Sequence, residues 1–475
     1  MLRRIRIILA AAFFAVLTLL LLGLVPTGFS AWIAKLQFVP ALMAANLAVV
    51  LGLVLLTFLF GRIYCSVICP LGVFQDIVAR LGRLFRGKKG KPYGWSRGIA
   101  WLRYTFLALF VAAMLAGVQA VVAVLDPYSS YGRIVTQIFS PGRMAVTSAV
   151  FIVAAASLVL VAALAWKGGR TYCNSVCPVG SALGLVSRFA LFRPVIDKAK
   201  CKSCHLCEKR CKASCISIDE KKIDLSRCVD CFDCLDSCRF GALHYRFVPG
   251  FRSGASCTGG EKKQSPDSSR RAFLAAGAAF VGAGALKAQS SMVDGGYAAI
   301  TAKQIPPKTT PLTPFGSKSV KDFYNRCTAC QLCVAACPNR VLRPSSDLEH
   351  FMQPEMAYER GYCRPECTKC SEVCPSGAIV ALKAEQKLHF KIGTASVNRE
   401  LCVVETQGLS CGNCARHCPA GAILMVPVNE GDKDSLLRPT VVEAQCIGCG
   451  ACENLCPSRP ISAITVDGIR EHIIS

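Results

Sequence analysis

Four uncharged apolar stretches shape the first third of the chain: Ile7 to Val25, Phe38 to Phe60, Tyr104 to Leu125 and Met144 to Trp166. Each reaches the ~20 residues that a helix needs to cross the hydrocarbon of a bilayer, and together they predict four transmembrane helices. Arg3, Arg4 and Arg6 precede the first stretch. Arg62, Arg80, Arg83, Arg86, Lys88, Lys89, Lys91, Arg97 and Arg103 fill the segment between the second and third. The positive-inside rule puts both regions in the cytoplasm, because the outer loops hold only Lys35 in one and Asp126, Arg133 and Arg143 in the other.

The long apolar runs end there. A compact block from Lys200 to Tyr245 is followed, from Phe247 to Phe315, by a stretch rich in Gly, Ser, Lys and Pro that marks a domain boundary. Within it Ser269-Arg270-Arg271-Ala272-Phe273-Leu274 opens an uncharged run to Leu286, the form of a twin-arginine export signal; a small buried helix behind a basic patch is the plainer alternative. Leu286-Lys287-Ala288 is a poor cleavage site, so the signal is expected to stay as a fifth anchor helix.

The apolar half repeats. Gly61-Arg62-Ile63-Tyr64-Cys65-Ser66-Val67-Ile68-Cys69-Pro70 matches Gly169-Arg170-Thr171-Tyr172-Cys173-Asn174-Ser175-Val176-Cys177-Pro178, one copy after each helical pair. Both copies emerge on the same face, where a pseudo-twofold axis would bring them together. Cys65, Cys69, Cys173 and Cys177 then form a metal centre or redox-active dithiols beside a quinone site. The competing structural reading is that Cys-Pro simply suits a first helical turn.

Cysteine usage sets the chemistry. The 475 residues include 30 cysteines, and 24 of them fall into tight, repeated spacings that disulfides do not require. Cys201, Cys204, Cys207 and Cys211 follow C-x2-C-x2-C-x3-C, repeated by Cys228, Cys231, Cys234 and Cys238. Such a loop grips one 4Fe-4S cube with three thiolates and sends its fourth to a neighbour. Cys238 is therefore expected to join the first three and Cys211 the second three. Structural zinc needs paired C-x2-C knuckles instead. Four further motifs follow: Cys327, Cys330, Cys333, Cys337; Cys363, Cys367, Cys370, Cys374; Cys402, Cys411, Cys414, Cys418; and Cys446, Cys449, Cys452, Cys456. Each ends in Cys-Pro. Eight residues separate Cys402 from Cys411, so a three-ligand 3Fe-4S centre is the alternative there. Cys215 is expected in the core and Cys257 in the linker.

The expected architecture is a polytopic α-helical membrane domain plus two α+β ferredoxin-type domains. Its parts are a membrane domain over 1–195, a cytoplasmic two-cluster domain over 196–247, a linker with the export signal over 248–320 and a periplasmic four-cluster domain over 321–475. The formal charge of +25 suggests nucleic acid only until the clusters are counted. At roughly −2 each, six clusters offset about half of it, and the remaining basic residues flank the apolar runs. No nucleic-acid partner is expected. His205, His244, His350, His389, His417 and His472 all lie outside the apolar runs, so no haem is expected in the bilayer.

Residues 1 to about 247, with four apolar runs, two Cys-x3-Cys-Pro motifs and two clusters, resemble the NapH-type membrane ferredoxins, related to NosR and CcoG. Residues from about 265 onward resemble the NapG/MauM-type periplasmic ferredoxins. The chain thus looks like a fusion of the two. The resemblance implies the electron-transfer subunit of a quinol dehydrogenase in a bacterial inner membrane. It would pass electrons from the quinol pool to a periplasmic reductase of the nitrate-reductase kind, or to a c-type cytochrome. It also implies that the last domain pairs outer with outer motifs, joining Cys456 to the first cluster, Cys337 to the fourth, Cys418 to the second and Cys374 to the third; sequential pairing is the alternative. The relation to CcoG keeps open an assembly or maturation factor that supplies electrons to another protein's metal site.

Overall fold

The computed structural model describes residues 2–25, 32–86, 93–139, 149–248, 293–294, 298–299, 301–429 and 435–474. The twin-arginine run and Cys257 lie outside them. Two described helices, Leu2–Leu22 and Ala149–Gly168, are long and apolar enough to cross a membrane. The other two expected spans are divided. Phe38–Met43 gives way to Leu47–Phe60, which restarts behind Asn46, whose side chain accepts from Val49 N at 3.3 Å. Ala100–Ala116 stops at Gly117 in the left-handed conformation, and Gln119–Leu125 follows. A polar cap in one run and a glycine in the other interrupt the helical hydrogen-bond ladder, which hydropathy alone reads past.

Each helical pair leads into the same knot. Ile63–Val67 precedes Pro70–Arg86, and Thr171–Ser175 precedes Pro178–Ser187. Pro70 and Pro178 open their helices, where the missing N–H costs nothing. Asp126 and Arg133, expected in an outer loop, belong to a buried helix and its cap rather than to a loop. The helix Pro127–Ile138 is buried from Pro127 to Gln137 and is capped by Asp126, which accepts from Ser129 N at 3.0 Å.

Two small α+β domains pack on this helical body. In the first, Phe192–Ile196 pairs antiparallel with Leu243–Phe247, and Ile216–Ser217 pairs with Lys222–Ile223. It docks where the repeated arginines stand, Arg62 N donating to Asp230 Oδ2 at 2.8 Å and Arg170 N to Lys212 O at 2.9 Å. In the second domain Leu342–Pro344 pairs with Pro354–Met356, Phe390–Val397 with Ile464–Ile474, and Ile423–Pro427 with Leu437–Val441. This domain starts before residue 321. Gln304 N donates to Pro460 O at 2.8 Å, Thr309 N donates to Asp467 Oδ1 at 3.0 Å, and Leu312 and Phe315 are buried in its core.

The C-terminal domain rests on the buried helix. Gln137 Nε2 and Thr136 Oγ1 donate to Gln331 Oε1 at 2.7 and 3.0 Å, and Gln119 Nε2 donates to Asn325 O at 2.6 Å. Gly132 permits this approach, since a Cβ there would lie 2.5 Å from the Cys330 carbonyl oxygen. Gly132→Val should therefore push the domain off. Amide exchange over 127–138 should rise at least about tenfold in hydrogen-exchange mass spectrometry, and unchanged protection would refute the contact.

Candidate metal centres

The cysteine loops share a backbone conformation that their sequences do not. The residues flanking the second cysteine both take positive φ in four loops: Ser203 and His205, Asp230 and Phe232, Ala329 and Gln331, Gly448 and Gly450. Six of these eight are not glycine, and each such residue costs about 1–2 kcal/mol in the left-handed region. The strain is explained by what it achieves: alternating backbone handedness turns successive N–H groups inward, making a concave nest for an anion. A one-turn helix then carries the third cysteine in Leu206–Arg210, Leu332–Ala336 and Ala451–Leu455, and the fourth leaves at or just after its C-terminus.

Quartets form as follows. Cys201, Cys204 and Cys207 line one cavity with Cys238, and Cys228, Cys231 and Cys234 line another with Cys211, as the loop spacing predicts. In the C-terminal domain Cys402, Cys411 and Cys414 line a cavity with Cys456, while Cys446, Cys449 and Cys452 line one with Cys418. Cys374 faces Cys327, Cys330 and Cys333, and Cys337 faces Cys363, Cys367 and Cys370. The outer-with-outer pairing that the resemblance implies does not occur. Neighbouring motifs exchange their fourth cysteines because each one-turn helix delivers its C-terminal cysteine to the adjoining loop. Cys402 reaches its quartet despite the long spacing, since Val403–Gln407 coils the inserted residues and Gly408 turns them back with φ +63°.

Among the described residues no group of three or more His, Cys, Asp or Glu gathers tightly enough to hold a single metal ion. Thiolates on one zinc would stand about 3.8 Å apart at a Zn–S length of ~2.3 Å. The quartets therefore fit a multi-iron core rather than one ion. Backbone donors also point at the sulfurs: Ala242 N to Cys238, Ala422 N to Cys418 and Ala463 N to Cys456 at 3.2 to 3.3 Å. Burial pushes the Cys207 and Cys414 thiols up to about 11, so loading iron releases protons there.

Two contributors escaped the sequence reading. Cys215, expected as a core residue, is 2% exposed, and its Sγ lies 3.5 Å from Cys211 Sγ, so a fifth thiol lines that cavity. Lys387 is also 2% exposed, with Nζ 3.2 Å from Cys363 Sγ and donating to Cys367 O at 2.5 Å. No spacing rule links it to the motif. The Cys-x3-Cys-Pro cysteines do come together: Arg62 of one repeat donates to Cys173 O of the other at 3.3 Å, and Arg170 to Cys65 O at 2.7 Å.

Comparison with known proteins agrees with this chemistry. Residues 42–92 and 149–198 match the model of a 4Fe-4S binding domain, and residues 326–403 and 409–459 match that of a 4Fe-4S dicluster domain. The chain is 32% identical over 195 residues to the uncharacterized protein MJ0749 of Methanocaldococcus jannaschii, covering 40% of itself and 67% of that protein. It belongs to that protein's family, and its matched segments are 4Fe-4S domains. The ferredoxin-type protein NapH of Haemophilus influenzae is 28% identical over 38% of this chain and 60% of its own length. The methylamine utilization ferredoxin-type protein MauM of Methylobacillus flagellatus is 32% identical over 28% of this chain and 59% of its own length. No solved structure matches this chain. The first model covers the Cys-x3-Cys-Pro repeats rather than the quartets of residues 201–238, which draws attention to the former.

Two variants check the assignments. Cys402→Ala should leave three thiolates and yield a 3Fe-4S signal in the oxidised protein with one iron fewer; an unchanged spectrum would remove Cys402 from the ligands. Lys387→Met should lower the reduction potential of the neighbouring cluster by on the order of 100 mV, the effect of a unit charge a few ångströms away in a partly buried setting.

Proposed function

We propose that this ferredoxin-type protein is a membrane-embedded electron carrier, taking electrons from quinol and passing them to a redox partner across the bilayer. The carrying observation is the placement of cysteine quartets in two domains docked on different parts of an apolar helical body, one at Arg62 and Arg170, the other on Pro127–Ile138. The outward faces of that body favour a lipid surround, with Ile8 67%, Leu51 63%, Leu115 85% and Ile152 63% exposed. Six 4Fe-4S clusters on the 24 motif cysteines would supply one-electron transfer without bond changes. The partner is a periplasmic reductase or c-type cytochrome, which puts the C-terminal domain outside and the other domain in the cytoplasm.

A quinol site is available at a helix end. A cavity of about 440 Å³ has apolar walls from Ile7, Ala10, Phe14, Val73 and Ile77, and a polar mouth from Arg6, Asp76, Lys212 and Asp233. The apolar side suits a prenyl tail and the mouth suits ring oxygens. Asp233 is next to Cys234, and Lys212 next to Cys211, so a ring held there abuts the first domain's ligands. Burial opposes ionisation of Asp76, but Arg170, Lys212 and Arg6 outweigh it and hold the carboxyl far below the usual range. It therefore anchors the basic groups rather than taking protons.

Anaerobically purified protein should hold at least about 24 irons per chain, and a menaquinol analogue should reduce part of them in an EPR titration. Arg6→Gln should slow that reduction at least tenfold while dithionite acts as before. Fully loaded protein that no quinol reduces would favour the assembly-factor reading.

A further inference from the structure

Four thiols stand between the two ferredoxin-type domains outside all six quartets. Cys65, Cys69, Cys173 and Cys177 are each at most 4% exposed and lie within electrostatic reach of one another. A twofold relation governs their surroundings. Arg62 Nη2 is 3.8 Å from Cys65 Sγ, and Arg170 Nη1 is 3.9 Å from Cys173 Sγ. Gly180 N donates to Cys177 Sγ at 3.3 Å, and Gly72 N serves Cys69 likewise. Both glycines are obligatory, because a Cβ at Gly72 would strike the Cys65 carbonyl and Arg170, and one at Gly180 the Cys173 carbonyl and Arg62.

Charge decides what the thiols hold. Both guanidiniums are 0% exposed, and Arg170 has the Asp76 carboxylate at 2.8 Å. Among the described residues no carboxylate bonds the Arg62 guanidinium, although Asp230 accepts from Arg62 N at 2.8 Å. The guanidinium donates to Asn174 Oδ1, Ser226 O, Cys173 O and Cys65 Sγ, while its Nε, like Arg170 Nη2, has no partner among the described residues. A buried cation without a counter-charge is costly, and neutral thiols provide none.

We propose that Cys65, Cys69, Cys173 and Cys177 ligate a further iron–sulfur cluster on the pseudo-twofold axis, relaying single electrons between the two ferredoxin-type domains, with Arg62 and Arg170 as its positioning residues. Four thiolates on such a core bring a net negative charge, roughly −2 for an oxidised centre, to face the Arg62 guanidinium and Arg170, whose Asp76 is shared with Arg6 and Lys212. The site touches the first domain and reaches the second through one intervening helix. Arg62 N and Asn174 Nδ2 bond Asp230 and Ala213 of the first at 2.8 and 3.3 Å. On the other side Tyr64 and Tyr172 face Asp126, which caps the helix whose Tyr128 faces Cys330. In each transfer one domain's reduced centre loses one electron and the four-cysteine centre gains it. That centre then yields the electron to the other domain, and no bond or proton moves. The relay rests on the electron-carrier reading above; the cluster site does not.

The test compares the full-length chain with its Cys65→Ser/Cys173→Ser double variant by iron and sulfide analysis and Mössbauer spectroscopy. The unaltered chain should hold four more irons for a cube, or two for a smaller core, while the quartet signals stay the same. Electron exchange between the domains should fall at least 100-fold. Arg62→Gln should keep the iron and lower this centre's potential, and Arg62→Lys should restore it. Equal iron in both proteins would overturn the proposal. Should the double variant not fold, the unaltered chain still decides: about 24 irons or fewer, with all quartets filled, overturns it, and more supports it. Extra iron that quinol never reduces would leave the site standing and remove the carrier reading.

Discussion

Bonding between iron and thiolate is the interaction on which the rest of this molecule depends. Among its described residues the C-terminal domain has only two-stranded ladders, helices of four to seven residues and one 3-10 turn. Helices that short do not persist in water, and an isolated two-stranded ribbon is marginal. Clusters bound by residues far apart in sequence join these pieces, so the free energy of ligation is folding free energy. The paired positive-φ residues fit the same view, for their strain is repaid only when an anion fills the nest they form.

Negative charge concentrated in this way needs an answer, and the fold gives it locally. Backbone donors reach Cys238, Cys418 and Cys456, Lys387 reaches Cys363, and Arg62 and Arg170 reach Cys65 and Cys173. Part of the +25 formal charge is therefore internal compensation rather than an adhesive surface. The two kinds of donor act differently. Amides tune by short contact, whereas a buried lysine or arginine acts by a full charge and shifts potentials further.

The buried helix Pro127–Ile138 joins the halves. Its polar residues are costly to bury, and they are bonded in part: Asp126 to Ser129, Arg133 Nη2 to Ala123 O at 2.8 Å, and Gln137 Nε2 to Gln331, while Arg133 Nε and Nη1 and Gln137 Oε1 have no partner among the described residues. The directional bonds from Thr136, Gln137 and Gln119 to the C-terminal domain define one docking geometry, which an apolar contact would leave free to slide.

The amino-acid sequence alone determined the chemistry. Cysteine spacing identified 4Fe-4S ligation, and in the first domain it named the quartets, because a thiolate loop's reach is set by a few local residues. Apolar runs located the helical body, although Asn46 and Gly117, visible inside two of them, were not read as breaks. Tertiary structure decided what depends on chain segments meeting. It paired the last four motifs sequentially and drew Cys215 against Cys211. It placed Lys387 on a loop 24 residues away, buried the segment read as an outer loop, and set each repeat's arginine on the other repeat's cysteine. None of these has a local signature, since a buried charge is positioned by the counter-charge that the fold brings to it.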